Sequence, residues 1–399
     1  MSPNPLPFAE AGEVGLSSER LQRIRPMIRG YIEKELIPGA VTMVARQGKI
    51  VHFDVQGNQN SEKKIPMTKD TIFRIASMTK PITSVALMML FEEGKFQLAD
   101  PISKWLPAFK EMKVAEFIGR GYELVAARSP ITVLNILTHT AGFATEYNPN
   151  NRELYQQAAK FRSRQEVIGD FIERLATVPL NYHPGTVWDY SRATCVVGRL
   201  VEVLSGQTLS EFLNERIFKP LGMVDTHFFL PEEKLPRFAA AYTPGEGNKI
   251  KLTDPDTIES FWASKPGIYY MGSGGLVSTA SDYFRFADML MQWGKREGAR
   301  ILSRKTVELM TMNHIGDLPV WLTGPGTGFG LGFGVTLDRG ETHRMASEGS
   351  YTWGGAFCTY WWNDPEEDLY GAIFTQVRPY HHLNIRADMQ TLAAQAIED

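Results

Sequence analysis

Residues 71–91 read Thr71-Ile72-Phe73-Arg74-Ile75-Ala76-Ser77-Met78-Thr79-Lys80-Pro81-Ile82-Thr83-Ser84-Val85-Ala86-Leu87-Met88-Met89-Leu90-Phe91. A strand-like run, TIFRIA, gives way to a strongly apolar helix over Met78–Glu93. Ser77 stands at the junction, and Lys80 follows one turn later on the same face. Pro81 fits a first turn, where amide N–H groups lack helical partners. The positive end of the helix dipole lies near any oxyanion formed at Ser77. A hydroxyl is a poor nucleophile until a base takes its proton. A lysine partly desolvated in a crevice has a lowered pKa and serves as that base. An N-cap serine beside a snorkelling lysine has the same spacing. A second S-x-x-K, Ser61-Glu62-Lys63-Lys64, lies in a polar stretch and reads as a solvated loop.

Outward from this junction, Ser18–Glu35 carries Leu21, Ile24, Ile28 and Ile32 on one helical face. Two β-like runs then flank Arg46-Gln47-Gly48-Lys49, an antiparallel hairpin with Gly48 in the turn. From Ile131 to about Leu290 the pattern is mostly helical. Thr208-Leu209-Ser210-Glu211 fits a capping box opening a helix that ends near Pro220-Leu221-Gly222. After Phe329 strands return: FGLGFGVTL, the run Gly355–Trp362, and LYGAIFTQV, with a turn at Asn363-Asp364-Pro365. A last helix spans Leu383–Ile397. The expected fold is α+β: one antiparallel sheet from both ends of the chain, flanked by the terminal helices, plus a mostly helical lobe. The first lobe is expected over about 1–75 and 295–399, the second over about 76–294. Any site then falls in the crevice between them.

Two further segments carry chemistry. Pro184-Gly185-Thr186-Val187-Trp188-Asp189-Tyr190-Ser191 is a turn leading to a tyrosine just before a helix. Such a tyrosine points into a crevice. Beside a cationic lysine its pKa is expected to fall, so that it passes a proton between Ser77 and a leaving group. An ordinary half-buried tyrosine fits the same segment. Gly349-Ser350-Tyr351-Thr352-Trp353-Gly354-Gly355-Ala356 enters a strand. Its glycines admit a substrate close to the backbone, and they also suit a plain turn or bulge.

Taken together and in this order, the segments resemble the serine β-lactamase and penicillin-binding protein superfamily, nearest the class C enzymes and the family VIII carboxylesterases. Phe73–Pro81 is similar to the nucleophile segment. Leu137-Thr138-His139-Thr140-Ala141-Gly142 is similar to L-T-H-T-S-G, and Pro184–Ser191 to P-G-x-x-x-x-Y-S. Gly272-Ser273-Gly274-Gly275-Leu276 resembles the glycine-rich turn. The resemblance implies Ser77 as acyl-accepting nucleophile, Lys80 as its base and Tyr190 as proton shuttle. It implies an oxyanion hole from the N–H groups of Ser77 and Ala356. His139 is expected to be structural.

Two positions depart from the lactamase pattern. Arg192 stands where Tyr-x-Asn has its asparagine, and Trp353-Gly354-Gly355 stands for Lys-Thr-Gly. A β-lactam carboxylate then loses its lysine, unless Arg192 or Arg344 substitutes. The W-G-G form resembles the esterases. Substrate contacts are expected from Trp353, Gly354, Gly355 and Arg192. Tyr351, Phe357 and Tyr360 are acyl-pocket candidates, with core packing the expected role. The implied activity is hydrolysis of small short-acyl esters through an acyl-enzyme. The alternatives are β-lactam or amide hydrolysis, acyl transfer, or a non-catalytic binding protein of the same fold.

Composition sets the outer bounds. The 399 residues are 43% hydrophobic and 22% charged, which suits a large buried core. A net charge of −3 gives no reason to expect nucleic acid or an anionic membrane as partner. The two cysteines, Cys195 and Cys358, read as reduced buried thiols, no histidine spacing suggests metal ligation, and no cofactor is expected. The N-terminal stretch has no charged segment followed by an apolar run, so a cytoplasmic enzyme acting on a small-molecule ester is the expectation.

Overall fold

The computed structural model describes all residues except 1–4, 119–120, 148–150, 162, 164 and 266. Residues 1–4 of the N-terminal stretch discussed above therefore lie outside the described part. The central sheet has eight strands, numbered here in chain order: β1 (Gly39–Arg46), β2 (Lys49–Asn60), β3 (Ile65–Pro66), β4 (Thr327–Phe329), β5 (Gly334–Thr336), β6 (Tyr351–Gly354), β7 (Tyr360–Asp364) and β8 (Leu369–Phe374). Their order across the sheet is β4-β5-β6-β7-β8-β1-β2-β3, with every neighbouring pair antiparallel. Strands from the two ends of the chain meet at β8 and β1, where Val41 faces Phe374 and Arg46 faces Leu369.

Five helices matter for the site or for the faces of the sheet: α1 (Ile24–Glu33), α2 (Thr79–Glu92), α3 (Ala193–Ser205), α4 (Ala280–Met291) and α5 (Ile385–Ala394). Alternation along the strands sends successive side chains to opposite faces. Val41, Met43 and Ala45 join Ala372, Phe374, Trp361 and Tyr283 in one core. Ala40, Val44, Ile373, Tyr360 and Trp362 join Ile24, Ile28, Ile385 and Met389 of the terminal helices in another. On the first side, α4 packs against β8 and β1, and α3 packs against α2. No helix among the described residues is long and apolar enough to cross a membrane.

The β1–β2 hairpin turns at Gln47 and Gly48, both with positive φ (53° and 69°), the geometry of a two-residue turn that matches strand twist. The capping box at Thr208 and Glu211 forms as read, and Gly222 ends that helical stretch in the left-handed conformation. Four sequence expectations need correction. The helix expected over Ser18–Glu35 is interrupted: Ser18–Leu21 is one turn, and α1 begins at Ile24. FGLGFGVTL is not one strand. Gly330-Leu331-Gly332-Phe333 folds back between β4 and β5, with Gly330 N–H bonded to the Phe333 carbonyl. The run Gly355–Trp362 likewise contains a turn, closed by Gly355 N–H donating to the Thr359 carbonyl at 2.7 Å, and β7 starts only at Tyr360. Asn363 and Asp364 belong to β7, so that turn comes later, at residues 365–368. Within the helical stretch, Ala241–Pro244 and Ile250–Asp254 form a hairpin. Short apolar segments have no period long enough to tell strand from helix.

Candidate active site

The junction that opened the sequence reading is a bend. Phe73-Arg74 pairs with Val277-Ser278, and Ala76–Met78 then makes a single 3₁₀ turn before α2. Ser77 therefore sits in a tight turn rather than in the α-helix proper. Ala76 holds a φ of +43°, a conformation that residues other than glycine rarely adopt. Such outliers gather where surrounding structure forces a side chain into a working position. Here they present Ser77 Oγ to a crevice of about 140 Å³.

Two groups converge on that oxygen. Lys80 Nζ lies 3.2 Å away, and the Tyr190 hydroxyl donates to it at 2.7 Å. The same ammonium donates to the Ser273 carbonyl at 2.6 Å, in the glycine-rich turn. Thr83 Oγ1 anchors that turn to α2 through the Gly272 carbonyl at 2.9 Å, and Leu276 N–H is bonded to Thr79 Oγ1. One face of α2 thus carries both the base and the anchors of the turn that holds it.

Burial separates the two titrating partners. Lys80 is pushed down to about 7 by desolvation and next by the Arg192 charge. Tyr190 is pushed up to about 12, because burial penalises a phenolate more than the hydrogen bond with Ser77 favours it. The fall expected for Tyr190 beside a cationic lysine does not occur. Lys80 does lie 4.6 Å from the centre of the tyrosine ring, but only about half of it is charged at pH 7, and burial of the phenol outweighs what remains. Tyr190 is therefore a hydroxyl donor at rest and Lys80 an available base.

His139 packs beneath this pair. Its ring is 4.9 Å from that of Tyr190 and 5.5 Å from that of Phe329, and its Nδ1 accepts from Ser191 N–H at 3.3 Å. Burial, then the Lys80 charge, holds the imidazole well below its ordinary value. It packs against Tyr190 in its neutral form and does not line the crevice.

The oxyanion-hole candidates meet at the crevice, since Ser77 and Ala356 both line it. Ala356 follows β6 in the Gly355–Thr359 turn. Gly355 brings that turn against the nucleophile segment: a Cβ there would overlap the Ile75 carbonyl and Thr359 Oγ1. Gly354 and Gly355 thus shape the approach of the backbone without lining the crevice. Trp353 lies elsewhere than expected. It is buried, with its ring 5.5 Å from Tyr190 and 5.3 Å from Phe329, and it backs the tyrosine instead of facing substrate. Tyr351 is core, its hydroxyl accepting from Asn363 Nδ2 at 2.9 Å, and Tyr360 belongs to the opposite face of the sheet. Of the three aromatic candidates only Phe357 lines the crevice. Arg344 is exposed and lies off the crevice.

Arg192 does line it. It donates to Tyr155 Oη at 3.2 Å, Met271 Sδ at 3.1 Å and Ser273 Oγ at 3.4 Å, and stands 3.9 Å from Glu146. Sequence reasoning missed Glu146, Tyr147, Trp262, Met271 and Arg378 as lining residues. The first two lie in a segment with no periodic pattern, and Arg378 is merely the residue after the last strand run. Ser273 was flagged only as part of a glycine-rich turn. Cys195 is a buried free thiol that donates to Ser273 Oγ at 3.0 Å, and Cys358 is buried and free as well. Ser61 lies in the β2–β3 turn, with its N–H bonded to Tyr242 Oη.

Comparison with known proteins shows which family and fold the chain resembles. A profile of the family described as Beta-lactamase matches residues 24–396. Protein Rv1367c of Mycobacterium tuberculosis is 34% identical over 357 residues, covering 86% of each chain. Esterase EstB of Burkholderia gladioli is 29% identical over 347 residues, covering 83% of this chain and 84% of its own. Among solved structures, EstCE1, described as a hydrolase with promiscuous acyltransferase activity, superposes with a TM-score of 0.81. The identity is 26%, and the match covers 94% of this chain and 98% of that one.

Proposed function

The chain belongs to the beta-lactamase family, a family of serine hydrolases with esterase and acyltransferase relatives, and from that premise we propose that it is a carboxylesterase acting on small esters of short acyl chains. One observation carries the reading: a lysine with a pKa near 7 and a neutral tyrosine both within hydrogen-bond reach of one serine oxygen.

Neutral Lys80 accepts the Ser77 proton as Oγ bonds to the ester carbonyl carbon. The carbonyl oxygen becomes an oxyanion between the N–H groups of Ser77 and Ala356, aided by the positive end of α2. On collapse, the bond to the alcohol oxygen breaks and Tyr190 gives that oxygen its proton. Lys80 returns a proton to Tyr190, so both groups recover their starting states and the acyl group remains on Ser77. Water then repeats the sequence in reverse order and releases the acid. An alcohol in place of water completes an acyl transfer with the same atoms, a reading supported by the description of EstCE1.

The direct test is incubation with 4-nitrophenyl butyrate and, separately, with a fluorophosphonate followed by intact mass and peptide mapping. Turnover and a single adduct on Ser77 are expected. A parent protein that neither turns over the ester nor labels at Ser77 refutes the proposal and leaves the binding-protein alternative.

A further inference from the structure

The charges around the crevice do not balance. Arg192 faces Glu146 at 3.9 Å, and its other nitrogens are held by Tyr155, Met271 and Ser273. Arg378 lines the same crevice, is exposed, and makes no side-chain hydrogen bond or ion pair among the described residues. Glu146 is the only carboxylate among the lining residues. With Lys80 near half-protonated at neutral pH, the crevice carries an excess of positive charge.

The backbone that carries this guanidinium is fixed. The Arg378 N–H donates to the Tyr242 carbonyl at 2.9 Å, and Val377 N–H donates to the Phe357 carbonyl at 3.1 Å. Its Cζ lies 5.9 Å from the centre of the Phe357 ring, one residue beyond Ala356 of the expected oxyanion hole. By contrast Arg386 is bonded to the carbonyls of Gly355 and Thr359 and to the Tyr380 hydroxyl, and has no part in the crevice. A planar cation without a side-chain partner, lining the crevice that holds Ser77, suits a carboxylate, which a guanidinium binds through two parallel N–H donors.

We propose that Arg378 is a carboxylate-binding residue and that the favoured substrates are esters bearing a carboxylate away from the scissile bond. The apolar walls, Tyr147, Trp262 and Phe357, take the chain between the two groups. The carboxylate sits on either the acyl or the alcohol portion of the ester. The inference rests on the esterase reading of Ser77.

The test compares matched pairs of esters. For the acyl side, 4-nitrophenyl hydrogen glutarate is compared with 4-nitrophenyl methyl glutarate. For the alcohol side, 3-carboxyphenyl butyrate is compared with 3-carbamoylphenyl butyrate. In the parent, kcat/KM is expected to favour the acid of one pair by about tenfold or more, the size of a charge-assisted hydrogen bond, and that pair identifies the side. Arg378→Gln is expected to bring the ratio close to one, and Arg378→Lys to restore part of it. High salt is expected to narrow the parent ratio. Equal kcat/KM within both pairs in the parent, or a ratio unchanged in Arg378→Gln, overturns the role of Arg378 while the esterase reading stands. Failure of the parent on all four esters overturns both.

Discussion

The pH dependence of turnover reports Lys80 directly. At pH 7 an ordinary lysine is neutral in roughly one copy in a few thousand, whereas one with a pKa of about 7 is neutral in about half. The base must be neutral to take the Ser77 proton, so kcat/KM for 4-nitrophenyl butyrate should rise with pH through the folded pKa. The neutral fraction goes from about one tenth at pH 6 to about nine tenths at pH 8, an increase of nearly tenfold, and then levels off. Loss of the Tyr190 proton lies near 12, so no falling limb is expected between pH 8 and pH 10. The profile is a step and not a bell.

Arg192 supplies the control. Its charge is the second cause of the lowered lysine pKa after burial, and Glu146 acts in the opposite sense. Arg192→Gln removes the repulsion and frees the carboxylate, and both changes favour protonated Lys80. The rising limb should move to higher pH by up to about one unit, whatever happens to the plateau. Only the midpoint is read, since Arg192 also touches the crevice. A flat parent profile across pH 6–8, or a midpoint that stays put or falls in Arg192→Gln, refutes the assignment of Lys80 as the base.

Three further outcomes are expected. Ser77→Ala should abolish turnover with an unchanged circular dichroism spectrum and melting curve, whereas Ser61→Ala should be close to parent; the reverse pattern would place the nucleophile in the β2–β3 turn. Tyr190→Phe should cost about a hundredfold or more in kcat, a typical acid–base contribution, and the double variant with Lys80→Met should be little worse than the poorer single one, because parts of one device are not additive. Multiplicative losses would show that the two residues act independently. Lys80→Met should also stabilise the protein at pH 6: between pH 7 and 10.5 the unfolded lysine binds more protons than the folded one, so its destabilisation is full below about 7 and fades as pH rises toward 10.5. A melting temperature no higher than parent at pH 6, or a gain that grows with pH, would contradict the buried, mostly desolvated lysine.

Much of this was legible because local chemistry fixed it. The β1–β2 turn, the capping box at Thr208 and the approach to α2 each depend on residues within four positions of one another. The sheet faces followed from alternation once the strands were placed. Trp353 misled because its position in the sequence says which strand carries it but not which side of Tyr190 that strand passes. Whether an aromatic at such a place faces the crevice or backs Tyr190 depends on Phe329, 24 residues earlier and two strands away. Arg378 and Glu146 were invisible for a similar reason: each is an unremarkable charge in a non-periodic segment, and only the fold brings both to one crevice.

The error over Tyr190 has a more general cause. The expectation considered a pairwise charge and left out burial, which acts on both partners at once. Desolvation disfavours whichever form is charged, so it lowers the pKa of a lysine and raises that of a tyrosine by the same physical effect. A cationic lysine beside a tyrosine would pull the phenol down, but the burial that brings them together also discharges about half of that cation at pH 7. Lys80 and Tyr190 are moved in opposite directions, to about 7 and about 12, by one water-poor environment. The proposed mechanism asks of Lys80 and Tyr190 such a pairing: a base that is free at neutral pH and an acid that still holds its proton there. In that mechanism the enclosure supplied by His139, Trp353 and the glycine-rich turn counts as part of the chemistry, because opening it to water would return both groups toward ordinary values and remove the base first.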